Sequence, residues 1–249
     1  MKKTGKKNLL IFGKNAIHEA LSRDADKISK LFVLNSLAPI KYDDLKKKCK
    51  AHNVPISSVP IQKLDRLSNQ GNHQGFIAEI SPVDYINLFD WVELTRLGPS
   101  TAVLLLDSIE DPHNLGAIIR SATAAGISAI IIPTQQQVPV NATVFKVSAG
   151  TAGIIPVIRV HSTEQGLKDL KLAGFTLIGL EGTASESLWT AQWVGPLAFI
   201  VGSEGGGISN RVAKHLDSRV SIPMEHAVES LNASVSAAII SYEWKRRQT

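Results

Sequence analysis

One cysteine, Cys49, stands in the 249 residues. A lone thiol forms no internal disulfide, and no Cys/His cluster has metal-ligand spacing, so the expectation is a reducing compartment, the cytoplasm, and no metal. Long apolar runs are missing as well. The Lys-rich start leads only into Leu9-Leu10-Ile11-Phe12 before Gly13 and Lys14, too short a run for a signal peptide. No segment reaches the length a membrane crossing needs. No Gly-rich turn with a following acid opens a first strand, which disfavours a nicotinamide-dependent oxidoreductase, and no phosphate-loop Lys-Ser/Thr pair is present. Repeats and low-complexity tracts are also absent. With 44% hydrophobic residues, the chain can bury a full core, which excludes a disordered or fibrous protein.

Charge divides unevenly along the chain. Residues 1–82 hold 15 Lys and Arg against 7 Asp and Glu, while residues 83–249 hold 12 against 15. Lys2, Lys3, Lys6 and Lys7, and again Lys46, Lys47, Lys48 and Lys50, crowd short stretches. Such clusters suit a phosphate-binding surface, and equally a solubilising tail and a solvated helix face.

Residues 8–80 alternate apolar runs with polar, helix-favouring stretches, which predicts a small basic α/β domain over 1–82. From Pro82 onward periodicity fades and ends in Leu97-Gly98-Pro99-Ser100, so 83–100 is expected to be a linker. Residues 101–249 then carry short, mostly continuous apolar runs: Ala102 to Leu106, Ile127 to Ile132, Ile154 to Val160, Phe175 to Leu180, Leu197 to Val201, and Arg219 to Ile222. Apolar strands alternating with helices predict a parallel α/β sheet covered on both faces, with ligands beyond the strands' carboxyl ends.

Three segments follow such strands. In Asp107 to Ala122, Asn114 has the chemistry of a helix N-cap, and Gly126 is placed to stop the helix. Arg120 sits among small apolar residues, where a guanidinium is ion-paired or grips a phosphate or carboxylate. In Leu197 to Ser209, glycines around Glu204 allow a ligand to approach bare backbone, or serve a tight turn with a surface acid. In Ser221 to Ala238, Ser230 or Asn232 is suited to cap a C-terminal helix. Three independent structural roles do not explain this ordered set.

Asn114 to Ala122, the Gly202-Ser203-Glu204-Gly205 loop and the Ile222-Pro223-Met224…Glu229-Ser230-Leu231-Asn232-Ala233-Ser234 stretch resemble the three signature motifs of the SpoU/TrmH (SPOUT) RNA ribose 2′-O-methyltransferases. The resemblance covers about residues 101–247. Gly13-Lys14-Asn15-Ala16-Ile17 and His73-Gln74-Gly75-Phe76 are similar, less distinctively, to that family's N-terminal RNA-binding domain of ribosomal-protein-like fold. This two-part layout most resembles the ribosomal RNA guanosine methyltransferases of the family. His226 and Ala233 depart from it, standing where Gly and Val are frequent.

The resemblance implies a trefoil knot, a homodimer, an RNA substrate and S-adenosylmethionine held by three loops, with Leu180, Gly182, Gly202, Ile222 and Leu231 at the matching positions. It also implies catalytic roles for Arg120, Asn114, Glu204, Ser230 and Asn232. Transfer from a sulfonium leaves a neutral thioether, so the chemical difficulty is the protonated ribose hydroxyl. Because a guanidinium is a poor base, Arg120 is expected first to clamp a phosphate and stabilise the forming alkoxide, and only second to accept a proton. Two alternatives keep the fold: a transfer RNA methyltransferase, or a non-catalytic RNA-binding protein, which would be expected to lack the motif Arg or Asn.

Overall fold

The computed structural model describes residues 10–203, 205–225 and 230–248. The chain divides into two compact units, one comprising residues through Asp84 together with Pro139–Ala142, the other Tyr85–Val138 and Thr143 onward.

The first unit contains β1 (Leu10–Phe12), α1 (Lys14–Arg23), β2 (Ile28–Leu34), α2 (Asp43–Ala51), β3 (Ile56–Val59), α3 (Ile61–Ser68) and β4 (Phe76–Ile80). The sheet order is β1-β4-β2-β3, with β4 antiparallel to β1 and β2, and β3 parallel to β2. Because side chains alternate along a strand, Leu31 and Val33 pack with Ile17 and Leu21 of α1 and with Leu45 and Cys49 of α2. Phe32 faces the other way, toward Leu64 of α3. The two motifs that carry the resemblance to an RNA-binding domain meet here: Gly13 N donates to the Phe76 carbonyl at 3.2 Å and Lys14 N to Gln74 Oε1 at 3.4 Å. Gly13 and Gly75, both at φ +84°, permit that approach.

The expected linker is structured. Within 83–100 lie β5 (Tyr85–Ile86) and α4 (Leu88–Leu94), which Asn87 caps by accepting from Phe89 N at 2.9 Å. Leu88 and Trp91 are buried. A two-residue strand has no periodicity to detect and exists only through its partner. The chain also returns to the first unit at Pro139–Ala142, where the hydroxyls of Ser29 and Ser81 donate to the Val140 carbonyl at 3.1 and 3.4 Å.

In the second unit β6 (Ala102–Leu106), α5 (Pro112–Ala125), β7 (Ala129–Pro133), α6 (Ala142–Val147, its first residue grouped with the first unit), β8 (Val157–Val160), α7 (Thr163–Leu172), β9 (Thr176–Leu180), β10 (Glu186–Ser187), β11 (Leu197–Val201), α8 (Asn210–Ala213), β12 (Ser218–Ser221) and α9 (Ala233–Arg247) follow in turn. All eight strands run parallel in the order β10-β12-β9-β11-β6-β7-β8-β5. Every residue of β6, β7 and β11 is buried, as a parallel sheet covered on both faces requires. The switch in strand order around β11 leaves a crevice beyond the carboxyl ends.

Asp111, not Asn114, caps α5: its carboxylate accepts from His113 N at 2.9 Å and Pro112 follows in the first turn. Proline's fixed φ and missing N–H suit that place and move the helix start ahead of Asn114. Gly126 ends α5 in the left-handed conformation at φ +85°. Among the described residues no helix is long and apolar enough to cross a membrane, and no three His, Cys, Asp or Glu side chains group as a metal site.

Candidate active site

A cleft of about 530 Å³ opens at the carboxyl ends of β9, β11 and β12. Leu180, Gly182, Gly202, Ile222 and Leu231, drawn from three separate loops, all line it. Leu180 ends β9, Gly202 follows β11 and Ile222 follows β12, so strand order alone brings the three loops together. Ser230 lines the same cleft. Its volume falls in the range of small-molecule sites.

The Gly202 loop closes on itself through reciprocal hydrogen bonds, Ser203 N to the Gly207 carbonyl at 3.1 Å and Gly207 N to the Ser203 carbonyl at 2.9 Å. A Cβ on Gly202 would lie 2.0 Å from Gly207 O, whereas one on Gly205 would meet nothing within 4 Å. Leu180, Ile222, Met224 and Leu231 supply apolar walls, and Glu181, Thr183 and Asn210 add polar groups. Sequence reasoning missed Glu181 and its ion-pair partner Arg219, 3.3 Å apart. The pair joins the residue that follows β9 to the neighbouring strand β12, a relation with no local signal.

The Asn114 and Asn232 side chains meet at 3.0 Å. Asn232 also caps α9, accepting from Ser234 N at 2.9 Å. Asn114 borders a neighbouring recess of about 350 Å³ with Ser108, Asp111 and Ser203, and Ser203 lines the cleft as well. Arg120 lines neither cavity. It is exposed on α5 and, among the described residues, has no hydrogen-bond or ion-pair partner. Glu204 and His226 lie outside the described residues, as do the four lysines of the N-terminal run.

The family described as SpoU rRNA Methylase matches residues 101–242, and one described as RNA 2'-O ribose methyltransferase substrate binding matches residues 10–86. The chain is 36% identical over 245 residues to the 23S rRNA (guanosine-2'-O-)-methyltransferase RlmB of Xylella fastidiosa, covering 98% of both chains. It is 35% identical over 242 residues to a putative TrmH family tRNA/rRNA methyltransferase of Staphylococcus epidermidis, covering 97% of this chain and 96% of that one. In fold it resembles the AdoMet-bound rRNA methyltransferase from Sinorhizobium meliloti, with TM-score 0.62, 21% identity, and coverage of 97% and 88%. The SpoU methyltransferase AviRb from Streptomyces viridochromogenes, solved with AdoMet, gives 0.59 at 21% identity, covering 97% and 90%. With a family model across more than half its length and relatives above 30% identity along nearly all of it, the chain belongs to the SpoU rRNA methylase family.

Proposed function

We propose that this chain is an enzyme that transfers the methyl group of S-adenosylmethionine to a ribose 2′-hydroxyl of RNA, a guanosine of large-subunit ribosomal RNA. The observation that carries the reading is the single cleft into which three loops bring Leu180, Gly182, Gly202, Ile222 and Leu231. That cleft fits the cofactor's chemistry, since adenine needs apolar walls and a few backbone partners, and the open side of Gly205 leaves bare backbone accessible. When bound, the cofactor supplies an activated methyl group on a sulfonium.

The chain's own residues prepare the acceptor. Asn114 borders the recess next to the cleft and, held there by Asn232, is placed to orient a ribose. Ser203 adds a hydroxyl at the boundary of the two, and Ser230 adds one in the cleft. Arg120, without a partner among the described residues, has a guanidinium able to grip an RNA phosphate bidentately and to stabilise negative charge forming on the ribose oxygen. The first unit brings the basic charge that RNA binding needs. Asn114, Arg120 and Asn232 are all present, which favours catalysis over a non-catalytic RNA-binding role.

The Staphylococcus epidermidis relative's name keeps transfer RNA as a second substrate reading. The long match to the RlmB proteins and the N-terminal substrate-binding unit favour ribosomal RNA. A cytoplasmic location follows from such a substrate and the single reduced thiol. The proposal includes a homodimer, supported by the apolar stripe of α9 on which Val235 and Tyr242 are 46% and 53% exposed, and by Arg120's absence from its own cleft. It also includes the trefoil knot. Support comes from the return of the chain after β12 to pack α9 on α5, past the intervening β9 and β11.

Calorimetry with S-adenosylmethionine, NAD and ATP tests the core reading, with S-adenosylmethionine expected to bind most tightly. Tighter binding of NAD or ATP overturns it. Ribose-methylation mapping of total RNA with and without the protein identifies the substrate, and light scattering reads the dimer.

A further inference from the structure

Where the cleft lies beyond β12, β9 and β11, a second cavity of about 380 Å³ lies at the same edge of the sheet, bordered by the loops after β6, β7 and β8. Hydrogen bonds within the chain hold its walls. Asp107, 6% exposed, accepts from the Thr163 hydroxyl at 2.8 Å and from Ser209 N at 3.3 Å. It thereby ties the end of β6 to the start of α7 and to the segment entering α8. The loop after β7 is fastened by Thr134 Oγ1 donating to the His161 carbonyl at 2.8 Å and by Ile109 N donating to Gln137 Oε1 at 3.0 Å. Two non-glycine wall residues, Ser108 and Gln136, hold left-handed backbone at φ 63° and 51°. Such strain persists where the surroundings over-determine it and gathers at ligand clamps.

The remaining side chains are of another kind. Gln135, Gln136, Glu164, Asn210 and Arg211 line the pocket, and among the described residues none of them has a hydrogen-bond or ion-pair partner. The pocket thus offers primary amides, one unengaged carboxylate and one guanidinium. Guanine fits this set. Its Watson–Crick edge presents two neighbouring donors, N1–H and the N2 amine, that a carboxylate accepts together, and an O6 acceptor for an amide N–H. Adenine places an acceptor at N1, which a carboxylate repels, and uracil has a single donor between two acceptors. A guanidinium can stack on the base plane.

Ser108 lines both this pocket and the recess that holds Asn114, and Asn210 lines both this pocket and the cleft. A nucleotide with its ribose in the recess therefore has this pocket beside it. We infer that the pocket receives the guanine base of the nucleotide to be methylated, with Glu164 accepting from N1–H and the N2 amine and Gln135 or Gln136 donating to O6. This assignment rests on the methyl-transfer reading and names the group that selects its substrate.

The test titrates the full-length protein, saturated with S-adenosylhomocysteine, with GMP, IMP and AMP under ligand-observed NMR. GMP is expected to bind about tenfold or more tighter than AMP, the scale of one bidentate base contact. IMP, which keeps N1–H and O6 but lacks the N2 amine, should fall between. Glu164→Gln should abolish the preference while S-adenosylhomocysteine affinity, measured separately, stays within about twofold. Equal binding of GMP and AMP, absence of saturable GMP binding, or a preference that survives Glu164→Gln overturns the assignment. Failure of S-adenosylhomocysteine to bind overturns the methyl-transfer reading instead, and this inference with it.

Discussion

The side-chain amide of Asn232 donates to Asn114 Oδ1 at 3.0 Å, joining the N-cap of α9 to the first turn of α5 across 118 positions of the chain. Asn232 Oδ1 meanwhile accepts from Ser234 N and the Ser234 hydroxyl, at 2.9 and 2.6 Å. One residue thus caps α9 and orients Asn114. Asn232→Ala should cost about 1 kcal/mol of stability through the missing cap, whereas Asn114→Ala leaves that cap intact. Both should slow methyl transfer, and the double variant should turn over no more slowly than the worse single one. Melting curves and single-turnover rates check this; equal melting losses with additive rate losses would contradict the shared role.

Arg120 separates catalysis from stability. Being exposed and without a partner among the described residues, Arg120→Ala should change stability by no more than about 0.5 kcal/mol. S-adenosylmethionine binding should also persist, while single-turnover methyl transfer falls about a hundredfold. Arg120→Lys should recover little, since lysine lacks the planar fork. Near-normal turnover by Arg120→Ala would remove it from the mechanism.

Two glycines of one loop should respond differently to the same added methyl group. Gly202→Ala places a Cβ 2.0 Å from the Gly207 carbonyl oxygen, and backbone must move. Gly205→Ala meets nothing within 4 Å. The first should lose cofactor binding and lower the melting temperature; the second should melt as the parent does and bind cofactor more weakly only if its open side faces the ligand. Calorimetry and thermal unfolding distinguish the two.

The lysines of α2 are not equivalent. Lys47 lies 2.8 Å from Asp43 and Lys48 donates to the Ser22 hydroxyl, while Lys46 and Lys50 have no partner among the described residues. Alanine at both Lys46 and Lys50 should weaken RNA binding and reduce the salt-dependence slope by about 0.7 to 0.9 for each phosphate that is no longer neutralised. Lys47→Ala, its charge already offset by Asp43, should change the slope less. Filter binding across a salt series reads both.

Acid should loosen the C-terminal end of α9. Hydrogen bonds from Arg246 at 2.8 Å, joined by one from Arg247 at 2.7 Å, hold the buried Glu243 carboxyl below the usual carboxylate range. Arg247 also donates to the carbonyls of Leu188 and Ala191 and lies 3.7 Å over the Trp193 ring. A folded pKa below the unfolded one, near about 4.3, means that the unfolded state binds more protons. The stabilisation is therefore present above that value and is lost as pH falls through the lower folded pKa. Glu243→Gln should lower the melting temperature at pH 7 and flatten its fall between pH 5 and 3, as read by thermal unfolding across that range.

Some of this protein is local and therefore legible in its residues. Ala102–Leu106 and Leu197–Val201 form strands at the bounds their continuous apolar runs predict, because a strand covered on both faces needs every side chain apolar. Gly126 ends α5 because only glycine enters the left-handed conformation without cost. Likewise, the motif residues around Gly202 and Leu231 identify a loop chemistry before any fold is known. Relations between distant segments are different. Strands β5 and β10, two residues each, exist only through hydrogen bonds to β8 and β12. The Glu181–Arg219 pair, the lock between Asn114 and Asn232, and the pocket that Asp107 braces depend on strand order. Placing β11 between β9 and β6 decides which loops meet, and that choice follows from burying all the apolar strands in one sheet, a balance summed over the chain that no short window contains.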